Sequence, residues 1–485
     1  MAHFSRRGFL TASAATAASL ALPARMHAAS DGFALRATTR VIEVNGRAAT
    51  VLGLTNAQGG LGLTLDPGQR FRTDLTNDLD IETIIHWHGQ IPPNAQDGVP
   101  NTNQMLKPGE TRAYDFEARP GTFWMHSHIP EQEIGLLAAP LIVRRPEEVA
   151  ADRQEVVMFL HDFAFRSPQE VLSEVSGGTA MDHSKMDHSA QPTGGMHTML
   201  EMGGMSGMMG VGMAMDLNDF DFDAYLANDR TLDDPEVIAV ERGGRVRLRV
   251  INGAAMTAFW IDLGAATARL VAVDGELVVP LDGTRFSVAP AQRLDIEINL
   301  PADGAALPVL ALREGARERT GIILAPAGTA VPKLASLSDT DHPPVSGNMA
   351  QEMALRALTP LPARPIQNGQ MVMLMGAMQP YLWTINGRVW EDRIPVAGRS
   401  GERMELMLHN MSMMAHPMHL HGHVFQVVEV NGTRFAGALR DTVHVPAMGS
   451  VTIAFDAGEP APWMLHCHQM GHLATGMMTE LAVSA

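Results

Sequence analysis

Four pairs of histidines, each pair separated by one residue, constrain this 485-residue chain more than any other feature. Side chains at positions i and i+2 of a β-strand point to the same side, so each pair can present two imidazoles to one face. Eight imidazoles are enough for a multinuclear metal site. One pair is weak evidence, but four pairs split between the two ends of the chain are hard to obtain by chance. The pairs are His86 with His88, His126 with His128, His419 with His421, and His466 with His468.

The rest of the chain has the pattern of an all-β protein. Short alternating or apolar runs are separated by Gly, Pro, Asn and Asp, which favours sandwich or barrel domains over βαβ units. At about 150 residues per domain, the length indicates roughly three domains. We place their borders at 31–148, 149–332 and 333–485, with a possible linker in 336–353. The expected strands include 70–75, 83–88, 139–143, 244–250, 293–298, 402–408 and 451–455.

Composition narrows the choice of partners. Hydrophobic residues make up 46% of the chain, which excludes a disordered polymer. The formal charge of −17 argues against nucleic acid, because phosphate neutralisation needs clustered Lys and Arg. A single Cys excludes an intrachain disulfide and a multi-Cys zinc or iron–sulfur site. The 20 His and 33 Met favour soft and borderline metal ions.

The N-terminus has the pattern of an export signal. A twin arginine, Arg6-Arg7, precedes an Ala-rich apolar run over 11–22, which is typical of a twin-arginine (Tat) signal. The alternative, a membrane anchor, is disfavoured because the run is shorter than the ~20 residues that a spanning helix needs. We therefore expect residues 1–30 to be recognised by the Tat export machinery and removed. The mature protein is then a soluble periplasmic monomer with no membrane contact.

Methionines are concentrated in a low-complexity insert at 181–215, which holds ten Met and three His. No helical or strand period would bury them cleanly. They can form a cluster of thioether ligands for Cu(I), a loop without a role, or a Met-lined helix packed on a domain. A second group is equally open between soft-metal ligands and one face of a core strand. It comprises Met371, Met373, Met375 and Met378.

The fourth histidine pair encloses the only cysteine, Cys467. In an extended segment His466 and His468 face one way and Cys467 the other, so the thiol can bind a different metal ion. With His472 five residues later, Met477 ten residues later and His416 as the second imidazole, this gives a His₂Cys set with a weak axial Met. That is the pattern of a blue-copper electron-transfer site. The alternative is a buried, inert thiol.

These motifs resemble the four copper signatures of the multicopper oxidases, the family of laccases and bacterial copper-tolerance oxidases. The resemblance implies three cupredoxin-like Greek-key domains, four copper ions, and a site between the first and third domains. Type 1 copper would be held by His416, Cys467 and His472, with Met477 axial. Type 2 copper would be held by His86 and His419. The type 3 pair would be held by His88, His126, His128, His421, His466 and His468.

The resemblance also implies reduction of O₂ to water, which needs protons. Asp97 is the expected relay, because similar oxidases carry an acidic residue at this position; the alternative is a turn Asp before Gly98. Similar cuprous oxidases place a Glu directly after the second type 1 His, where this chain has Leu473. Glu131 and Glu133 could substitute for it.

The electron donor stays open at this point. Oxidation of Cu(I) is favoured by the Met-rich insert and by Met413 and Met414, which precede His416 and are candidate Cu(I) ligands. Similar cuprous oxidases carry an Asp where this chain has Ser412, which weakens that reading. The alternatives are a laccase-like oxidase of phenols or other small aromatics and a non-enzymatic copper-sequestering protein; a copper nitrite reductase is disfavoured. The other histidines are interpreted as structural, among them His161, His342, His409, His423 and His444.

Overall fold

The computed structural model describes residues 32–177, 217–345 and 349–485. The predicted signal at 1–30 and the Met-rich insert at 181–215 lie outside the described residues. Strands account for 48% of the structure and helices for 8%, so the all-β prediction is confirmed. Among the residues that the structure describes, no helix is both long and apolar enough to cross a membrane.

The first two sheets form what we call the N-terminal unit. Their strand orders are β2-β1-β4-β6 and β3-β8-β7-β5. The strands are β1 (Phe33–Val44), β2 (Arg47–Asn56), β3 (Leu63–Leu65), β4 (Phe71–Asn77), β5 (Ile85–His86), β6 (Thr111–Phe116), β7 (Gly121–Ser127) and β8 (Ala138–Val143).

The next two sheets form the middle unit, with strand orders β10-β9-β12-β17-β14-β15 and β11-β19-β18-β13-β16. The strands are β9 (Gln154–Phe163), β10 (Ala224–Ala227), β11 (Val237–Ala239), β12 (Arg245–Asn252), β13 (Phe259–Asp262), β14 (Ala268–Val273), β15 (Glu276–Gly283), β16 (Arg285–Val288), β17 (Arg293–Asn299), β18 (Leu307–Arg313) and β19 (Arg319–Ala325).

The last two sheets form the C-terminal unit, with strand orders β21-β20-β23-β29-β25-β26, where β27 also pairs with β25, and β22-β31-β30-β24-β28. The strands are β20 (Asn368–Met378), β21 (Tyr381–Ile385), β22 (Val396–Arg399), β23 (Arg403–Asn410), β24 (His416–Leu420), β25 (Phe425–Val430), β26 (Thr433–Arg434), β27 (Leu439–Arg440), β28 (Thr442–Val445), β29 (Ser450–Asp456), β30 (Pro462–Cys467) and β31 (Met478–Ser484).

Short helices lie at the edges of the sheets. They are α1 (Pro130–Ile134), α2 (Pro146–Ala150), α3 (Pro168–Val175), α4 (Ala350–Ala354) and α5 (Met470–Ala474), with 3₁₀ turns at Asn94–Gln96 and Trp390–Asp392. The first three begin with proline, whose fixed φ suits a first helical turn. Helices α1, α3 and α5 contact one another. Because α1 follows the second histidine pair and α5 follows the fourth, these contacts bring two of the motifs together.

Some strands alternate between buried and exposed residues, whereas others, such as β7 and β24, are buried throughout. In β4, for example, Phe71, Thr73 and Leu75 are buried while the residues between them are exposed. The expected strands at 70–75, 244–250, 293–298, 402–408 and 451–455 are confirmed to within two residues by β4, β12, β17, β23 and β29. The expected strand at 83–88 shrinks to Ile85–His86. The domain borders at 31, 149 and 333 stay predictions.

The second methionine group lies on β20. The alternative of one face of a core strand does not describe it, because its alternating methionines are on the outer face. The buried residues of β20 are Val372 and Leu374, whereas Met371, Met373 and Met375 alternate with them on the outer face. Alternation in the sequence shows that the three methionines share a face, but it does not show which face is buried.

A buried guanidinium connects the N-terminal and middle units. Arg249 of β12 is fully buried and donates to the Thr122 hydroxyl at 2.9 Å and to Asp295 at 2.9 Å. It also donates to Glu148 at 3.0 Å and Glu155 at 2.9 Å. Removing such a cation leaves buried carboxylates unpaired, which costs more than losing a surface ion pair.

We therefore predict that Arg249→Met lowers the free energy of unfolding by about 3–5 kcal/mol. Arg245→Met is the matched control on the same strand, because its partner Asp152 is exposed and such pairs contribute less than about 1 kcal/mol. Thermal unfolding of both variants measures the difference. Equal midpoints for the two variants would show that the buried network is not stabilising.

Candidate metal centre

Two strand pairs from opposite ends of the chain bring the eight paired histidines together. In the N-terminal unit β5 pairs with β7, and His86 lies opposite His126. In the C-terminal unit β24 pairs with β30, and His419 lies opposite His466. All eight side chains are buried, with none more than 7% exposed.

The ring nitrogens of these histidines converge in overlapping sets whose atoms lie within 4.8 Å of one another. The His421 Nε2 lies 3.0 Å from the His466 Nε2, which in turn is 3.4 Å from the His128 Nε2. Elsewhere in the cluster the His88 Nδ1 lies 3.3 Å from the His126 Nε2. The sets are His86–His88–His126, His86–His419–His421 and His128–His421–His466, and the ring of His468 lies 5.0 Å from that of His126.

Backbone carbonyls fix the orientation of several rings through one nitrogen. The His86 Nδ1 lies 2.8 Å from the Asp97 carbonyl, and the His419 Nδ1 lies 2.8 Å from the Asp441 carbonyl. In contrast, the Nε2 atoms of His86, His419 and His468 are buried without a hydrogen-bond partner among the described residues. An imidazole anchored at one nitrogen and free at the other is the usual state of a metal ligand, so the donor set fits copper.

Burial keeps seven of these imidazoles neutral. It lowers the pKa of His466 to about 3 and holds the pKa of His88 and of His128 well below the ordinary value. Neighbouring histidines add to the effect of burial at His88 and His128, because like charges repel. The same direction holds for His126, His419, His421 and His468. Neutral imidazoles have a free lone pair at neutral pH, which metal binding requires.

A second donor set lies on the other side of the same strand. Cys467, His416 and His472 form a buried group in which the Sγ is 3.7 Å from the His416 Nδ1 and 3.5 Å from the His472 Nδ1. The Cys467 N–H donates to the Met477 carbonyl at 3.1 Å, so the backbone of the fully buried Met477 lies next to that of Cys467. Burial raises the pKa of the Cys467 thiol, and a bound cation would lower it again.

Two carboxylates that the sequence analysis named touch the eight-histidine cluster. The Asp97 Oδ2 lies 2.9 Å from the His421 Nδ1, and its Oδ1 lies 3.4 Å from the His86 Nδ1. The following Gly98 has φ +78°, and a Cβ there would lie 1.8 Å from the Ile85 carbonyl oxygen. Glycine at this position therefore lets the Asp97 turn pack directly against the strand that carries His86.

Glu133 is the second carboxylate, and its surroundings differ from those of the nearby Glu131. Its Oε2 lies 2.8 Å from the His126 Nδ1 and its Oε1 lies 3.5 Å from the His468 Nδ1. Glu133 is buried and its pKa is raised well above the ordinary value by burial, whereas Glu131 is only half-buried. Of the two glutamates considered from the sequence, only Glu133 contacts the cluster.

Sequence reasoning missed Asp441, which lies between β27 and β28 and contacts the cluster. Its Oδ1 lies 3.2 Å from the His88 Nε2, and its carbonyl is the anchor of His419. The fully buried Arg293 of the middle unit donates to both carboxylate oxygens of Asp441 and, through Nε, to the Thr122 carbonyl at 3.2 Å. One guanidinium thus links all three units beside the histidines. No motif marked these residues, since their partners are far apart in sequence.

Sequence reasoning also missed Asp219, which contacts the second donor set. Its Oδ2 lies 3.2 Å from the His472 Nε2 and accepts from the Tyr381 hydroxyl at 3.1 Å and the Gln469 amide at 3.0 Å. Burial alone would raise the pKa of Asp219, but these contacts outweigh it and lower the pKa. Asp219 also lines a cleft of about 490 Å³, together with Glu174, Asp221 and Leu217.

The candidate residues ahead of His416 differ in exposure. Met413 is 58% exposed, whereas Met414 is 5% exposed and packs in the core of the C-terminal unit. The Ser412 hydroxyl lies 2.8 Å from the His416 Nε2. Elsewhere, the His423 Nδ1 lies 2.8 Å from the His421 carbonyl, which agrees with its interpretation as a structural residue near the ligands.

Comparison with known proteins assigns the family. Three family models, each described as multicopper oxidase, match residues 36–148, 197–323 and 363–485. The chain is 30% identical to the multicopper oxidase MmcO of Mycobacterium tuberculosis, over 99% of this chain and 96% of that protein. This protein therefore belongs to the multicopper oxidase family.

Two further comparisons agree with this assignment. Copper resistance protein A of Escherichia coli is 25% identical over 96% of this chain and 94% of its own length. The structure of a laccase from Botrytis aclada superposes with a TM-score of 0.72 at 21% identity, over 93% of this chain and 87% of that one, which supports the fold. The three-cupredoxin architecture is thereby confirmed.

Family membership makes the protein an oxidoreductase with four copper ions, one type 1, one type 2 and a type 3 pair. Members of the family use O₂ with copper or phenolic substrates. The assignment of individual residues to each copper stays a prediction, as does the axial role of Met477.

The lowered histidine pKa values predict how the copper-free protein responds to acid. Below about pH 6.5 the unfolded chain binds protons at its histidines, while folded His466 stays neutral down to about pH 3. Stability is therefore full above about pH 6.5 and is lost as the pH falls. Unfolding midpoints measured between about pH 7.5 and about pH 4.5 should fall on acidification. A midpoint that is constant over this range would contradict the neutral cluster.

Proposed function

We propose that this protein is a cuprous oxidase, which couples one-electron oxidation of Cu(I) to four-electron reduction of O₂ to water. We further propose that the Tat pathway exports it to the periplasm, where it serves copper tolerance. The twin-arginine sequence at Arg6-Arg7 and the relationship to a protein named for copper resistance support the location and role.

The observation that carries the proposal is the contact between Asp219 and His472 at an acidic cleft. A carboxylate beside the outer nitrogen of this imidazole favours a cationic donor. The acidic Glu174 and Asp221 line the cleft as well, together with Arg313, which donates to Asp221 at 2.6 Å. Leu217, which follows the Met-rich insert in the sequence, lines the cleft too. Soft thioethers and a carboxylate together suit Cu(I).

The cleft provides the carboxylate that is missing at Ser412. A cuprous oxidase needs an acidic side chain at the type 1 centre, and the position ahead of His416 offers only a hydroxyl. Asp219 supplies the missing carboxylate, but from the middle unit and at the other imidazole, His472. Of the two candidate methionines, the exposed Met413 is better placed for an incoming ion than the buried Met414.

The chain's own residues define how the two donor sets cooperate. Bound copper would supply one-electron transfer at the Cys467 set and dioxygen reduction at the eight-histidine cluster. Cys467 is covalently adjacent to His466 and His468, so two peptide links form the shortest connection between the sets. His416 and His472 lie with the Cys467 thiol on one side of the strand, and the eight buried histidines lie on the other side.

Four protons must accompany the four electrons. Asp97 is placed to hold a proton at the Oδ2 that faces His421, and Glu133 at the Oε2 that faces His126. Because burial raises the pKa of Glu133, this carboxyl retains a proton to higher pH than an exposed glutamate. Glu133 thus takes the place of the glutamate that Leu473 replaces.

A laccase-like oxidase of phenols or other small aromatics is the second candidate. The cleft volume of about 490 Å³ is large enough for one aromatic ring, and Asp219 could accept the hydrogen bond of a phenol hydroxyl. Copper sequestration without turnover has no comparable support, because the family is a class of enzymes.

The two donors can be distinguished by Asp219→Asn. Loss of the carboxylate should lower kcat/KM for Cu(I) by about 10- to 100-fold, the range for losing a charged contact, while phenol oxidation changes by less than about threefold. Asp223→Asn is the matched control, because this exposed side chain lies four residues away and is not among the residues that line the cleft. Steady-state O₂ uptake measures both donors. A larger loss for the phenol than for Cu(I) would favour the laccase-like alternative.

Deletion of 181–215 tests the insert separately. We expect aromatic oxidation to rise and Cu(I) oxidation to fall, because the thioethers are lost and bulky donors gain access. If both rates stay at the parental values, the insert has no gating role, and the case for Cu(I) rests on the acidic cleft.

Glu133→Gln tests the proton route. Glutamine can still accept the hydrogen bond from His126 but cannot deliver a proton, so kcat should fall about 100-fold or more with either donor. The neighbouring Glu131→Gln should leave kcat unchanged, since Glu131 does not touch the cluster. The measurement is kcat for Cu(I) and for a phenol across pH. A loss confined to one donor would place Glu133 outside the shared O₂ chemistry.

A further inference from the structure

We propose that the outer face of the C-terminal unit carries a separate binding site for a soft monovalent cation such as Cu(I). Its donors are thioethers and one imidazole on β20, β23 and the residue after β23. We call this set the thioether ladder; it consists of Met371, Met373, Met375, Met407, His409 and Met411.

The register of two parallel strands forms the ladder. Met371 of β20 lies opposite Met407 of β23, and Met373 lies opposite His409. The Met411 N–H then donates to the Leu374 carbonyl at 2.9 Å, which continues the pairing and sets Met411 beside Met375. Three consecutive outward-facing cross-strand pairs, which we call the rungs of the ladder, therefore carry a soft donor on both strands.

The ladder faces outward. On β20 the buried positions are Val372 and Leu374, and on β23 they are Leu406 and Leu408, so the residues between them point away from the core. Met371 is 57% exposed and Met411 is 49% exposed. The remaining rungs are partly exposed, so an ion could reach them from solution.

The spacing of a sheet allows these donors to share an ion. Neighbouring strands lie about 4.8 Å apart, and successive outward residues on one strand about 6.6 Å apart. A methionine side chain has three rotatable bonds, so sulfurs from adjacent rungs can reach a common point. Thioether and imidazole donors without a carboxylate select Cu(I) over hard cations.

Ordinary surface composition does not explain this face. Outward positions of a sandwich strand are usually polar, as the partly exposed Ser450 is on the adjacent β29, opposite His409. The ladder instead concentrates five thioethers on two neighbouring strands. In the sequence the ladder is followed directly by Ser412, whose hydroxyl lies 2.8 Å from the His416 Nε2, and by the exposed Met413. The cleft, in contrast, contacts His472, so the two features lie at different imidazoles of the same donor set.

This site goes beyond the proposed function, because holding a cation on the ladder requires no turnover. Its test therefore uses Ag(I), a soft monovalent cation that the oxidase chemistry does not consume. Failure of Cu(I) oxidation would leave the outcome of a silver titration unaffected.

The experiment compares silver binding to the copper-loaded full chain and to the variant Met373→Leu/Met375→Leu/Met411→Leu. Leucine keeps the volume of methionine but removes the sulfur. We expect the variant to bind at least one fewer Ag(I) per chain in equilibrium dialysis. Met105→Leu/Met353→Leu, two methionines outside the ladder, is the matched control and should bind as many as the parent. Retention of the blue absorption verifies the fold of both variants.

An unchanged silver stoichiometry would overturn the proposal. So would a variant that alters the association state of the chain but not its silver binding, since the ladder would then be a contact surface for a second copy. If the triple variant does not fold, NMR of ¹³C-methyl methionine in the parent provides the test. Ag(I) should shift the ladder resonances, assigned by single Met→Leu changes, and resonances that do not move would reject the site.

Discussion

Eight imidazoles are buried together in this protein, and a buried imidazole is tolerated only if it is neutral and has a partner for its nitrogens. The structure meets this requirement in part through carbonyls such as those of Asp97 and Asp441. It leaves other nitrogens, among them the His419 Nε2, with no protein partner in the described residues. Copper would complete the set. The pairing of β5 with β7 and of β24 with β30 sets the histidines of each end of the chain side by side.

The middle unit contributes none of the eight histidines, yet the cluster depends on it. Arg293 extends from β17 to Asp441, which holds His88 and His419 in place. Asp219 extends to His472 at the other donor set. The middle unit therefore orients ligands at both sets, through charged side chains that are stable in the interior only because they are paired.

Much of the fold could be predicted from the sequence, because alternation of apolar residues is a local property. Strands β4, β12, β17, β23 and β29 were predicted within two residues for this reason. The histidine pairs and Cys467 were found because their spacing alone implies chemistry. The histidine at the end of β5 was found as well, although its strand is only two residues long.

What the sequence could not provide depends on packing between distant elements. Asp219 and His472 meet because a loop of the middle unit packs on α5, which no spacing encodes. The same holds for Asp441 and Arg293. Glu133 was named beside Glu131, but only the packing of α1 against β7 shows which of them reaches His126. The outward direction of Met371, Met373 and Met375 also depends on which face of β20 the second sheet covers.

The central claim is that two donor sets, joined through Cys467, hold four copper ions, one within the C-terminal unit and three between it and the N-terminal unit. Anomalous X-ray scattering from crystals of the copper-loaded protein tests it most directly. The account predicts one copper atom among His416, Cys467 and His472, and three among the eight paired histidines. An empty thiol set, or fewer than three copper atoms in the histidine cluster of fully loaded protein, would contradict it.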